Sequence, residues 1–198
     1  MIEPHALRRR RLVRDEIGLI AVNLFADLGF DRVTVADIAS AAGISERTFF
    51  RYFASKDEVV LDYERVLHDR LIDAMAARPA DEGAVTALRE AYLQTSHVEP
   101  AARPRVVQIA RILADAPALR ARAHGERLTR DDALVAEVTR RLREGADAMH
   151  ARVIVTAMDA VAANEFRTWA QTGGTDDPAE RIGVALKLLE NGLRELDR

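Results

Sequence analysis

Cysteine is absent from the 198 residues. That removes disulfides, thiolate nucleophiles, thiolate metal sites and iron–sulfur clusters, and it fits a reducing compartment. Glycine (10) and proline (6) are scarce. Sandwiches and barrels need many turns, so a β-rich fold is disfavoured. No run approaches ~18 apolar residues, so no transmembrane span is expected. Arg8, Arg9, Arg10 and Arg11 are followed by Asp15 and Glu16 rather than by an apolar block with a cleavage site, so the default location is the cytoplasm. No Walker loop, dinucleotide fingerprint or local nucleophile–base signature occurs. His5, His68, His97, His124 and His150 each lie more than twenty residues from the next. That spacing excludes a helical metal pair. The expectation is no enzyme, no cofactor and no metal.

Excess positive charge is also lacking: the net is −3 at pH 7. The sum alone discourages a nucleic-acid partner, but the distribution matters more. Residues 1–56 hold nine Lys/Arg against seven Asp/Glu, whereas residues 57–198 hold twenty against twenty-five. Aromatics are uneven too. Seven of ten fall between Phe25 and Tyr63, leaving only Tyr92, Phe166 and Trp169 beyond. A small aromatic-cored unit, 1–56, is expected before a larger Ala-rich unit, 57–198.

What is present is helical. Val13, Ile17, Ile20, Leu24 and Leu28 recur at three- and four-residue spacing, and Gly29 ends that run. Thr34 with Asp37 forms a capping-box variant, with Val33 and Ile38 at staple positions. Gly43 then supplies a tight turn. Ser45 caps the next helix, with Ile44 and Phe49 as its staple, and Ser55 with Glu58 caps a long one. Further helices are expected at about 81–97, 103–114, 118–144, 147–171 and 178–196, giving an all-α fold of about nine helices. Pro178 after Asp177 is a good start signal for the last.

Residues 34–53 have the shape of a helix-turn-helix. The spacing turns Ile38, Ala39, Ala42, Ile44 and Phe49 inward and leaves Glu46, Arg47, Phe50 and Arg51 outward. A helix fits the DNA major groove, where its N-terminal residues meet base edges. Arg8, Arg9, Arg10 and Arg11 read equally as a minor-groove arm or as a solvated tail.

The run from Thr34 through Gly43, Arg47 and Tyr52 to Lys56, with Phe25, Leu28, Gly29 and Phe30 before it, resembles the DNA-binding signature of the tetracycline-repressor (TetR) family. The resemblance implies a homodimer on double-stranded operator DNA, usually a repressor, released by a small ligand. It implies phosphate contacts from Thr34, Tyr52 and Lys56. Base contacts are implied from Arg47 and its third-helix neighbours Ser45, Glu46, Thr48, Phe50 and Arg51. Phe50 replaces a frequent Tyr and cannot donate a hydrogen bond to phosphate. The larger unit resembles regulators with acyl-CoA-like ligands, including those beside mycofactocin gene clusters, through residues 116–122 and the helix ending Phe166-Arg167-Thr168-Trp169.

By fold-level analogy, an apolar pocket is expected among Tyr92, Ile109, Leu113, Leu134, Met149, Val153 and Trp169, with Arg103 or Arg105 meeting an anionic head group. The last two helices are expected to pair with a second copy through Val161, Ile182, Leu186, Leu189 and Leu193, as family dimers do. The alternatives are a helical enzyme or carrier, or an interaction module, with an incidental helix-turn-helix.

Overall fold

Side-chain caps position the first helices, and their apolar faces close on one another. A computed structural model describes residues 5–192, the side chains of 5–7 excepted. Helix α1 runs His5–Leu28 and a 3-10 turn follows at Phe30–Arg32. The next three helices are α2 (Val35–Ala41), α3 (Glu46–Phe50) and α4 (Lys56–Ala76). Thr34 and Asp37 form the full capping box of α2. Ser45 Oγ accepts from Thr48 N–H at 3.1 Å. Ser55 accepts from Glu58 N–H at 3.2 Å, but the Glu58 carboxylate turns away to Arg65 and Arg122. Only half of that expected capping box forms, because two guanidinium groups outcompete one backbone N–H. Both staples close: Val33, Ile38 and Phe49 are buried, and Ile44 packs on the same core.

The remaining helices are α5 (Ala84–Ser96), α6 (Arg103–Asp115), α7 (Pro117–Thr139), α8 (Ala148–Gln171) and α9 (Pro178–Glu190), with a 3-10 turn at Pro100–Ala102 before α6. Nine α-helices and no strand occur among the described residues. None of those helices is long and apolar enough to cross a membrane. Helix α7 was expected to reach Glu144 and stops at Thr139. There Arg141 leaves the helical path, and its guanidinium donates to the carbonyls of Met75 and Arg78 at 3.2 and 3.0 Å. The Met75 carbonyl takes this bond beside the one from Arg78 N–H, so the end of α4 is tied to the chain just beyond α7. Asp177 caps α9 as expected, accepting from Ala179 N–H.

The first core gathers Ile17, Phe25, Ile38, Phe49 and Phe53 with Val59, Val60 and Leu61 of α4. It does not stop at the expected boundary. Ile109 and Ile112 of α6 and Leu119 of α7 belong to it. The second core holds Leu71 and Met75 of α4, Leu88 of α5, Leu134 of α7, Met158 of α8, and Ile182 and Leu186 of α9. Helix α4 therefore has its first turns in one core and its last in the other.

The expected pairing stripe requires correction. Ile182 and Leu186 are 1% and 0% exposed within their own chain, and Val161 and Leu189 pack against the same core. Helix α9 lies against both α5 and α8, so Ile182 and Leu186 are consumed internally, while Val161 and Leu189 remain half-buried. Val184, Val153 and Met149 point outward instead. Leu193 lies outside the described residues.

Candidate nucleic-acid interface and effector cavity

At the amino-terminal end, α2, the turn at Ala42–Ile44 and α3 make a helix-turn-helix. Gly43 takes φ +63°, the left-handed conformation that a side chain disfavours. Ile38 and Phe49 lock the two helices from inside. Outside, Thr34, Ser45, Glu46, Arg47, Phe50 and Arg51 are exposed, and Thr48 and Tyr52 half-buried. Phe50 is 53% exposed, a large apolar ring held in solvent, with the buried Phe49 ring edge-on beneath it at 5.6 Å. Arg51 lies over the Tyr52 ring at 5.2 Å. Arg47 carries no hydrogen bond or ion pair to the described residues, so its five donors are available. Arg8, Arg9, Arg10 and Arg11 form neither arm nor tail. They are exposed residues within α1.

Lys56 was expected at a phosphate. Its Nζ donates to the carbonyls of Phe30 and Val33 at 2.8 and 3.1 Å and sits over the Phe30 ring at 4.5 Å. The ammonium ties the start of α4 to the segment before α2, leaving one donor for anything else. Arg14 went unnoticed in the sequence. It donates to both carboxylate oxygens of Asp62, at 3.0 and 2.7 Å, and to the Tyr52 carbonyl at 2.6 Å, with its guanidinium 4.5 Å from the Phe53 ring centroid. One side chain thus joins α1, the exit of α3 and α4. An arginine at a half-buried i position of an amphipathic helix is the only sequence signal for it.

From Asp62 the ion pairs continue inward. Arg65 binds Asp62 at 3.1 Å and Glu126 of α7 at 3.0 Å, and also Glu58. Arg122 of α7 pairs with Glu58 at 2.9 Å and with Glu126 at 3.2 Å. The chain of charges runs from the backbone at the end of α3 to the middle of α7.

The next turns of α4 and α7 reach a cavity. One chamber, of about 230 Å³, is walled mainly by apolar groups, among them Leu67, Leu71, Ile109, Phe166 and Ile182. A second, of about 410 Å³, has a mixed wall, in which Arg65, Arg120, Arg127, Arg130 and Arg167 with Glu64, Glu126 and Asp159 stand beside Leu61, Leu113, Pro117 and three alanines. Glu64, His68, Arg127 and Asp159 border both chambers. At this border the Tyr92 hydroxyl donates to Asp159 at 3.0 Å, and Arg127 pairs with the same carboxylate. Burial pushes the Tyr92 hydroxyl well up, with Asp159 adding to the effect. Burial likewise raises Glu64, opposed by Arg127 and reinforced by Asp159. It lowers His68, which Arg127 lowers further.

Of the expected pocket residues, Tyr92, Ile109 and Leu113 line the first chamber. Leu134 is sealed in the second core. Trp169 is 0% exposed, held by Val106, Val107 and an Nε1 hydrogen bond to the Asp176 carbonyl at 2.9 Å. Gly174, at φ +63°, leaves room for that indole, since a Cβ there would stand 2.3 Å from Val107 and 3.0 Å from Trp169. Met149 and Val153 are 59% and 60% exposed on the outer face of α8. Arg103 donates to the carbonyls of Val98 and Thr175, and Arg105 does not reach either chamber. The sequence pattern identified apolar helix faces but not which face meets a void. Glu64, His68, Arg120, Arg127 and Arg167 were missed because charged residues on helices ordinarily face water, whereas Asp159, the one charge in the apolar run 153–163, carries a sequence signal for a pocket and lines both chambers.

A family model described as bacterial regulatory proteins, tetR family, matches residues 20–63. A second, described as MftR C-terminal domain, matches residues 82–194. Among curated relatives, the HTH-type transcriptional regulator TcmR of Streptomyces glaucescens is 30% identical over 201 residues, covering 95% of this chain and 86% of that protein. Among solved structures, FadR of Thermus thermophilus, a TetR family transcriptional repressor in complex with lauroyl-CoA, superposes with a TM-score of 0.59. It is 25% identical and the match covers 90% of this chain and 94% of FadR. FadR of Bacillus subtilis, in complex with stearoyl-CoA, shares the fold at 18% identity and a TM-score of 0.64, covering 88% and 96% of the two chains.

Proposed function

The chain belongs to the tetR family of bacterial regulatory proteins, and from that premise we propose how it works: two copies bind an operator duplex through α3 and leave it when a small apolar or acyl-CoA-like ligand fills the two-chambered cavity. The relatives are transcriptional regulators rather than enzymes. Repression in the cytoplasm is the mode the reading favours. The observation that carries it is the outward face of α3, with Arg47 unpaired, Arg51 beside it and Phe50 held in solvent.

Arg47 has the bidentate geometry to read a guanine edge. Thr34, Ser45, Thr48 and Tyr52 place hydroxyls where a backbone phosphate passes, and the exposed arginines of α1 make the local potential positive and attract the same polyanion. Phe50 suits a thymine methyl or a sugar. The working division is 1–56 for DNA and 57–198 for ligand and pairing, with α4 shared. The pairing surface fits the outward face of α8 and α9, where Val153 and Val184 stand, rather than the buried stripe.

Coupling follows from the shared core. Ile109 lines the cavity and also belongs to the core beneath the helix-turn-helix. A ligand that moves α6 or α4 therefore moves the unit that carries α3. In a dimer such a movement changes the spacing of the two recognition helices, which must stand about 34–36 Å apart to meet successive major grooves. Ligand and DNA then oppose each other by one coupling energy, typically ~1–3 kcal/mol. A mobility-shift assay on the gene's own upstream region tests the reading. Retardation that falls with added salt supports it, and no retardation of folded protein at low salt overturns it.

A further inference from the structure

The border between the two chambers holds polar groups that the protein itself leaves unused. Glu64 and His68 stand one helical turn apart on α4, so they share a face. His68 is 5% exposed, and neither ring nitrogen makes a hydrogen bond; the nearest carboxylate, Asp131, is 3.6 Å from Nε2. Glu64 makes no hydrogen bond or ion pair to the described residues. Asp159, by contrast, is already engaged by Tyr92 and Arg127.

Leaving the buried His68 nitrogens unpaired is costly, and the half-buried Glu64 carboxylate opens on the same cavity, so a ligand that completes both is favoured over one that does not. A neutral imidazole offers one donor and one acceptor, and a carboxylate accepts. A hydroxyl satisfies both at once, donating to Glu64 while accepting from the His68 N–H. An ammonium donates but cannot accept, and a methylene does neither.

The chambers fix where that hydroxyl sits. Leu67, Leu71, Ile109 and Ile182 line the first chamber alone and favour an alkyl chain there, whereas Arg65 and Arg130 line the second alone, with Arg120 and Arg167 at the border, and favour the polar, anionic end of the ligand. At ~30 Å³ per group, the share of a water molecule in the liquid, 230 Å³ takes about eight methylene-sized groups. We propose that the effector is a medium-chain acyl derivative with a hydroxyl close to its acyl carbonyl, held at the chamber border by Glu64 and His68. The proposal rests on the cavity being the effector site.

Three CoA esters test it by calorimetry: 3-hydroxyoctanoyl-CoA, octanoyl-CoA and stearoyl-CoA. Trp169, whose ring centroid is 5.3 Å from that of the lining Phe166, provides a second readout by fluorescence. The hydroxylated ester is expected to bind at least ~10-fold more tightly than octanoyl-CoA, and stearoyl-CoA more weakly than either. Glu64→Leu with His68→Phe is expected to erase the hydroxyl preference while octanoyl-CoA still binds. Glu64→Gln, which keeps an acceptor, is expected to retain it in a protein whose fold is undisturbed. Equal affinity for the first two esters, tighter binding of stearoyl-CoA, or a preference that survives the double substitution overturns the proposal alone. No binding of any ester by protein that retards operator DNA overturns the effector class as well.

Discussion

The helix-turn-helix and the cavity are built on opposite plans. Around α2 and α3 the inside is aromatic and closed: Phe25, Phe49 and Phe53 are essentially inaccessible, and the polar groups face out. Around the middle of α4 the inside is open and charged, with Glu64, His68, Arg127 and Asp159 turned inward. A surface that must present α3 in one fixed attitude needs a filled core, because close packing holds side chains in single rotamers. A site that responds to a small molecule needs a void and polar groups left incomplete. The two plans meet on α4 and α6, which contribute to both.

The largest expected effect breaks the filled core. Phe49→Ala deletes a fully buried ring and should cost ~3–5 kcal/mol. Because Ile109 and Ile112 tie that core to α6, the loss should appear in the whole molecule. Urea unfolding followed at once by helicity and by Trp169 emission is expected to shift as a single transition. Two separated transitions, with Trp169 unmoved, would show that the regions fold independently.

Arg14→Ala attacks the joint between the plans. It removes the paired bonds to Asp62, the bond to the Tyr52 carbonyl and the contact with Phe53. Hydrogen bonds to charged groups contribute ~1.5–3 kcal/mol, so stability should fall by about that amount. Ligand should then release the operator less effectively, since the ion-pair chain no longer reaches the exit of α3. A variant that is destabilised yet shows unchanged ligand-induced release would exclude that chain as a route of coupling.

Arg47→Ala should separate binding from stability. Operator affinity is expected to fall by ~1–3 kcal/mol, with relaxed preference at one position per half-site. The thermal midpoint should stay put, because Arg47 makes no hydrogen bond or ion pair to the described residues. Lys56→Ala should do the reverse in part. Its two carbonyl partners predict a stability loss of ~1 kcal/mol, accompanied by weaker binding to all sequences alike. An unchanged melting temperature for Lys56→Ala would return that residue to the phosphate role alone.

The closed region was largely legible in the sequence and the open one was not, for a physical reason. Capping and turn chemistry are local: Thr34 with Asp37, Ser45 with Thr48, and Gly43 at positive φ lie within a few residues of one another. Binary patterning then decides which way Ile38, Phe49 and Arg47 point. The cavity depends instead on long-range company. Glu64 is an ordinary helix-surface carboxylate by pattern and Asp159 the one charge in an apolar run, and only the packing of α4, α7 and α8 turns them to each other. The same holds for Ile182 and Leu186, whose spacing is equally right for a partner copy and for α5. Pattern identifies a buried face but not what buries it.

The smallest expected effect probes the incomplete side of the comparison. Burial and Asp159 raise the Glu64 carboxyl, and Arg127 offsets them only in part. A carboxyl raised in the folded state favours the folded protein most when it is protonated. Its contribution is therefore full below the ordinary carboxylate range and is lost as pH climbs through the raised value. Glu64→Gln keeps the shape and stays neutral at every pH. At acid pH the two proteins should melt together, because both side chains are then uncharged. At neutral pH the glutamine variant should be the more stable, by about 1 kcal/mol, the low end of the cost of a buried polar group without its partner. Asp159 on α8, Arg127 on α7, Tyr92 on α5 and His68 on α4 all face the same space and are common to both proteins. Thermal melts at about pH 4 and pH 7.5 without ligand measure it. A variant less stable at neutral pH would mean that Glu64 already has a partner in the free protein, and the border between the chambers would then be complete before any ligand arrives.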